Sequence, residues 1–268
     1  MDEAYLKALL DRFPHLRLLV IGDFFLDKYL DLDRRLSETS LETGLEAYQV
    51  VKVRCSPGAA GTVTNNLRAL DVQVTALGVI GEDGEGYDLK RALIARGVDV
   101  GPLLVHPDRV TPTYMKPMMH ETKGQSDTAS VHELNRMDIK NRSPLPDAIQ
   151  THIIEQLHAL APTVDGIIVA DQVPEANYGV ITNRVRDALA TLGKQGMTIA
   201  VDSRKRIGHF HHVILKPNVH EALAALKDIL PGVGSIQESE PEAMNKERVY
   251  QAGHTLYERT QRPVFITV

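Results

Sequence analysis

Two carboxylates four residues apart, Asp23 and Asp27, follow the apolar run Leu18-Leu-Val-Ile-Gly22. Carboxylates accept hydrogen bonds from hydroxyls, so polyols and sugars are natural ligands for this pair. Asp23 has a second reading, as a turn cap after a strand, and the segment leaves both open. Asn218-Val-His-Glu221 sets an amide and a carboxylate one helical turn apart. That pair can hold a hydrated Mg²⁺ beside a nucleotide's phosphates, or it can close a capping box at a helix start, which the spacing favours. Pro57-Gly58-Ala59-Ala60-Gly61-Thr62 opens a helix with small residues. A ligand could approach the free N–H groups there, although close packing against a strand asks for the same residues. The run Gly78-Val-Ile-Gly81-Glu-Asp83-Gly-Glu-Gly86 has neither the lysine of a P-loop nor the spacing of a dinucleotide fingerprint. It reads as a tight turn needing positive φ at glycine, and an NAD-dependent oxidoreductase is disfavoured. His209, His211 and His212 have no cysteine nearby and read as surface or packing residues, and Cys55 has no evident base partner.

The elements that must position these residues alternate between strands and amphipathic helices. An apolar run ending at Gly22 predicts a strand buried on both faces, hence a mostly parallel sheet covered by helices. Ligands in such sheets bind beyond the carboxyl ends of the strands, where Asp23 would stand. The half-apolar pattern between Tyr48 and Val53 suits a strand exposed on one face. A helix from Ala59 to Leu70, a strand over Val72–Val79, a helix over Tyr87–Arg96 and at least two strands within Val98–Asp138 follow. The pattern is cleaner from Asp147 on. A helix to Leu160 leads to the strand Gly166–Ala170 and Asp171; a helix over Tyr178–Lys194 leads to Met197–Val201 and Asp202. A strand at Val213–Leu215, a short helix from Val219, a polar Glu-rich loop over Pro231–Asn245 read as a solvated insertion, a helix over Glu247–Thr260 and a terminal strand Pro263–Val268 complete the chain. Repeated units of this length require right-handed crossovers.

Composition narrows the function class. The 268 residues suffice for one α/β domain with a small appendage. A net charge of −5 argues against nucleic acid or an anionic membrane as partner, and no apolar run approaches the roughly 20 residues of a membrane span. The acidic N-terminus lacks the pattern of a secretory signal, and the single cysteine fits a reducing compartment, so a cytoplasmic location is expected.

The order and spacing of Asp23 and Asp27, the Gly58 helix start, the Gly78–Gly86 turn and Asn218-x-x-Glu221 resemble the ribokinase family, the PfkB-type carbohydrate kinases. The resemblance covers the chain from Leu16 on. Val20-Ile-Gly-Asp-Phe-Phe-Leu-Asp-Lys-Tyr29, Thr113-x-x-Lys116, Arg136-Met-Asp138, Asp171 and Asp202 look most like its heptose 7-phosphate kinase branch. What this implies is a single ribokinase-like domain over residues 1–268: a Rossmann-type, mostly parallel sheet with a small β-sheet lid at about 30–53 and 111–119. It implies ATP and Mg²⁺ as cofactors and transfer of a phosphoryl group to a hydroxyl of a sugar or sugar phosphate. Asp23, Asp27, Gly58, Ala59, Thr62 and Asp171 would bind the sugar, with Lys116 and Arg136 near its phosphate. Asn218, Glu221 and Asp202 would serve the nucleotide, with Glu221 at the metal. The exposed lid strand offers a surface for a homodimer.

Three departures qualify the resemblance. The family's paired glycine is Gly58-Ala59, and Thr62 stands where asparagine is usual. The stretch after Asp171, Gln-Val-Pro-Glu-Ala-Asn-Tyr-Gly, lacks the Lys-Gly pair of the heptose branch. No Gly-Ala-Gly-Asp pattern, which in the family carries the catalytic aspartate after the last strand, occurs here. The catalytic residues are therefore expected beyond Val268, in a kinase truncated at its C-terminus and inactive in this form. The alternative is a degenerate member that binds sugar or nucleotide without catalysis.

Overall fold

A computed structural model describes residues 2–122, 129–230 and 242–268. In chain order the helices are α1 (Glu3–Leu10), α2 (Ala60–Ala69), α3 (Gly84–Ala95), α4 (Asp147–Leu160), α5 (Asn183–Lys194), α6 (Val219–Ile229) and α7 (Glu242–Thr260). The strands are β1 (Arg17–Gly22), β2 (Phe24–Asp33), β3 (Glu38–Thr39), β4 (Glu46–Ala47), β5 (Val50–Ala59), β6 (Gln73–Gly81) and β7 (Leu103–His106). They continue as β8 (Thr113–Thr122), β9 (Ala129–Glu133), β10 (Met137–Ile139), β11 (Gly166–Asp171), β12 (Ile199–Ser203) and β13 (Ile214–Leu215).

The main sheet is parallel throughout, in the order β13-β12-β11-β1-β6-β7. Alternation along β1, buried from Leu19 to Gly22, builds its two cores. Leu19 and Ile21 pack with Ile153 and Leu157 of α4 and Val185 and Leu189 of α5; Val20 packs with Ala60 of α2 and Leu89 and Leu93 of α3. Strand order runs outward in both directions from β1, so its carboxyl end is a topological switch point, where ligands of such sheets bind. Gly22 is required there: a Cβ would come 2.2 Å from the Ala170 carbonyl oxygen, at a φ of +153°.

The chain then leaves the main sheet directly into a second one. In this lid β2 pairs antiparallel with β5 and parallel with β8, and β8 carries β10 and β9. The lid is larger than the segments 30–53 and 111–119, because β2 and β5 pair back to Phe24 and Ala59. β5 is its edge, with Val51 and Val53 about half exposed.

Several sequence expectations need correction. The helix expected from Tyr178 begins at Asn183, since Val180 donates its N–H to Asp23 and Thr182 caps the helix through the Val185 N–H. None of Gly78, Gly81, Gly84 and Gly86 has positive φ. Close approach demands glycine instead: a Cβ on Gly81 would meet the Arg109 carbonyl at 2.6 Å, and one on Gly86 the Gly81 carbonyl at 2.3 Å. Pro263–Val268 forms only two isolated parallel bridges, at Leu215–Val264 and Asn218–Thr267, beside the edge strand β13. The Glu-rich stretch around Glu238 lies outside the described residues. Among the described residues no helix is long and apolar enough to cross a membrane.

Candidate functional site

Between the lid and the carboxyl ends of the main sheet lies a cavity of about 280 Å³, lined by Asp27, Ala59, Tyr114, Lys116, Arg136 and Arg204 among others. Its size is near the lower end of small-molecule sites, roughly 300 Å³. Asp27 and Lys116 reach it from neighbouring lid strands: β2 pairs with β8 so that Asp27 faces Tyr114, and Lys116 follows two residues on, on the same face. Lys116 Nζ lies 2.8 Å from Asp27 Oδ1 and 4.9 Å from the centre of the Tyr29 ring. Both side chains are largely buried, at 17% and 21% exposure, so they are shielded yet open on the cavity side. Gly58 makes room for this carboxylate, since a Cβ there would come 2.7 Å from Asp27 Oδ2.

Arg136 stacks on Tyr114, with its guanidinium carbon 4.1 Å from the ring centre, and makes a two-pronged ion pair with Asp138. Ala59 has φ 53° and ψ −117°, a conformation that favours glycine, so the Gly58-Ala59 departure places strain at the start of α2. Thr62 is committed locally, its hydroxyl donating to the Pro57 carbonyl at 3.5 Å.

Asp23 stands at the end of β1 as expected, but it does not present a free carboxylate. It is 3% exposed. Its Oδ2 accepts from the N–H groups of Gln172 (2.8 Å) and Val173 (3.1 Å), and its Oδ1 from Val180 (2.7 Å). Asp23 is thus the anchor of the loop that follows β11. Asp171 is likewise buried, accepting from Arg206 Nη2 and Ser203 Oγ at 2.8 and 2.6 Å. Arg206 in turn donates to the carbonyls of Val173 and Pro174. Buried Arg109, just before β8, donates to the Tyr178 carbonyl from the other side. Three buried ionised side chains from separate elements therefore staple one loop, and that loop delivers Gln172 to the cavity.

Burial raises the Asp23 carboxyl to about 6; the nearby Asp171 charge adds to this, and the three N–H donors oppose it. The unfolded group titrates near 4. Between these values the folded state holds a proton that the unfolded state has released, so stability falls as pH rises from about 4 through 6. Measured against Asp23→Asn, which does not titrate, the wild-type protein should gain about 2 kcal/mol on acidification from pH 7 to 4.5. A difference independent of pH in urea melts would refute this.

Asn218 and Glu221 form the capping box of α6: Asn218 Oδ1 accepts from the Glu221 N–H, and Glu221 Oε2 from the Asn218 N–H, both at 2.9 Å. The helix-cap alternative is what the structure contains, and it leaves Glu221 one carboxylate oxygen. Asp202 accepts from Gln172 Nε2 and lies 3.7 Å from Lys216 Nζ. Among the described residues no three His, Cys, Asp or Glu side chains cluster to hold a metal. His211 meets the Arg259 carbonyl, in keeping with a packing role, and Cys55 lies beside Asp88, where burial raises its thiol.

The structure thus gathers Asp27, Ala59, Lys116 and Arg136 into one cavity, sets Asp23 and Asp171 beneath it as structural anchors, and leaves Asn218 and Glu221 at a helix start. Sequence reading missed Tyr114, Gln172 and Arg204. Period-two spacing from Lys116 marks Tyr114, whereas Gln172 and Arg204 carried no local signal beyond following the strand-end aspartates.

No family model matches the chain. It is 31% identical over 228 residues to the bifunctional protein HldE of Trichlorobacter lovleyi, covering 84% of this chain and 43% of that protein. It is also 31% identical over 225 residues to the bifunctional protein HldE of Citrifermentans bemidjiense, covering 83% and 43%. The chain therefore spans less than half the length of the curated relatives it matches. Among solved structures, phosphofructokinase-2 from Escherichia coli in complex with fructose-6-phosphate superposes with a TM-score of 0.61 at 14% identity, over 94% of this chain and 74% of that one. Arabidopsis thaliana ribokinase complexed with ribose and ATP gives 0.53 at 17% identity, over 93% and 70%. These likenesses establish the fold.

Proposed function

We propose that the chain is a member of the PfkB-type ribokinase family of carbohydrate kinases and forms the sugar-binding part of an ATP-dependent kinase acting on a sugar phosphate, with a heptose 7-phosphate as the first candidate. The observation that carries this reading is the shielded Asp27–Lys116 pair in a cavity rimmed by arginines. Asp27 accepts from sugar hydroxyls and Lys116 donates to a sugar oxygen, while the backbone at Gly58 and Ala59 closes the wall behind them. Bound Mg²⁺–ATP would supply the phosphoryl group. A hydrated Mg²⁺ needs only one or two carboxylates besides phosphate oxygens, and the carboxylate oxygen that Glu221 keeps outside its capping box would serve as one of them.

Asp27→Asn is the test. It keeps the shape of the side chain and removes the charge that orders both hydroxyls and Lys116. Hydrogen bonds to charged groups contribute roughly 1.5–3 kcal/mol, so affinity for the heptose 7-phosphate in calorimetry should fall about 10–100-fold. Unchanged affinity in a folded variant would remove Asp27 from the sugar site.

The β5 edge supports a second copy as partner, because Val51 and Val53 are exposed beside unpaired strand hydrogen-bonding groups. Small-angle scattering should then show a dimer that Val51→Lys disperses; a monomer at high concentration would dismiss it.

A further inference from the structure

Three cationic side chains line the cavity, and they are not equivalent. Lys116 is paired with Asp27, and Arg136 makes a two-pronged pair with Asp138. Arg204 has no carboxylate within ion-pair distance among the described residues. A neutral amide holds it instead: its Nε donates to Gln172 Oε1 at 2.9 Å. Its backbone N–H donates to the Asp171 carbonyl at 3.0 Å, so the residue is fixed at both ends.

Gln172 is itself oriented by two further contacts. Its Nε2 donates to Asp202 Oδ1 at 3.2 Å, and its backbone N–H donates to Asp23 Oδ2. The amide can satisfy Arg204 and Asp202 together only with its oxygen toward the guanidinium, so this network sets the amide's orientation. A line of contacts thus runs from buried Asp23 through Gln172 to Arg204, leaving both terminal nitrogens of the guanidinium without a hydrogen-bond partner among the described residues. An arginine pre-ordered through Nε, with its Nη groups open, suits two-pronged recognition of a phosphate.

We propose that Arg204, positioned by Gln172, is the residue that reads the phosphate monoester of the acceptor, while Lys116 and Arg136, already neutralised by Asp27 and Asp138, shape the cavity around the sugar. This rests on the sugar-kinase reading and makes it narrower: the acceptor is a phosphorylated sugar, and the group that selects it lies on the turn after β12. Asp23 acts through the loop as a positioning residue.

The test is calorimetric titration of wild type, Arg204→Gln and Arg204→Lys with four probes: a heptose 7-phosphate, the same heptose unphosphorylated, inorganic phosphate and ATP. Arg204 is exposed and replaces no core contact, and thermal melting checks that the variants fold. Arg204→Gln should weaken the phosphorylated sugar about 10–100-fold and leave the free heptose and ATP within twofold. Arg204→Lys should recover part of the loss. Equal losses for both sugars, no loss, or a loss confined to ATP would each overturn the assignment. Inorganic phosphate separates it from the broader reading. Phosphate bound by wild type and lost in Arg204→Gln, with no uptake of either sugar, would keep the anion site and reject the sugar kinase. Phosphate and phosphorylated sugar bound equally by both proteins would reject the anion site alone.

Discussion

Residues 1–268 are expected to bind a phosphorylated sugar and yet to phosphorylate it ~10²–10⁴-fold more slowly than the roughly 1–100 s⁻¹ usual for kinases. Transfer to a hydroxyl needs a group to take its proton, and the aspartates near the cavity are all committed elsewhere. Asp27 is ion-paired with Lys116. Asp23 accepts three backbone N–H groups out of solvent, and Asp171 is locked to Arg206 and Ser203. Asp202 accepts from Gln172 and faces Lys216. Among the described residues these aspartates leave no free general base at the cavity, and the lack of one costs roughly 10²–10⁴ in rate. A coupled assay for ADP release, run with a heptose 7-phosphate, measures this. Turnover at kinase-like rates would place the base within these residues.

The largest effect on stability should come from Arg206→Met. Arg206 and Asp171 are 9% and 1% exposed, and Arg206 also donates to the carbonyls of Val173 and Pro174. Removing one partner of such a pair strands the other charge in the interior, at a cost of about 3–5 kcal/mol. For a domain of this size that lowers the melting temperature by on the order of 10 °C. Asp171→Asn in the same chain should restore part of the loss, because it removes the stranded charge. Thermal and urea melts of the two single variants and the double variant measure this. A loss below 1 kcal/mol for Arg206→Met would show that the loop after β11 is held by other contacts.

The sheet was legible because its signals are local. Leu19, Val20 and Ile21 are apolar in succession since β1 is covered on both faces, and the strand-end aspartates Asp171 and Asp202 follow the same grammar on β11 and β12. The site was legible only in part. Asp27, Lys116 and Arg136 were marked by type and spacing, but strand pairing, not sequence separation, brings Asp27 beside Lys116. Asp23 illustrates the opposite case. Its place at a strand end is local information, whereas its burial depends on a loop about 150 residues away folding over it. Gln172 and Arg204 could not be marked in advance, because their relation is a single side-chain contact between two turns. The start of α5 was misplaced for the same reason: Asp23 holds Val180 outside the helix.

The most direct measurement of the central claim is a crystal structure of the protein with a heptose 7-phosphate bound. The sugar is expected between the lid and the carboxyl ends of the main sheet, with hydroxyls within hydrogen-bonding distance of Asp27 and Lys116 and the phosphate on the Arg204 guanidinium. A sugar seated outside this cavity, with Asp27 and Lys116 still paired only to each other, would contradict the account.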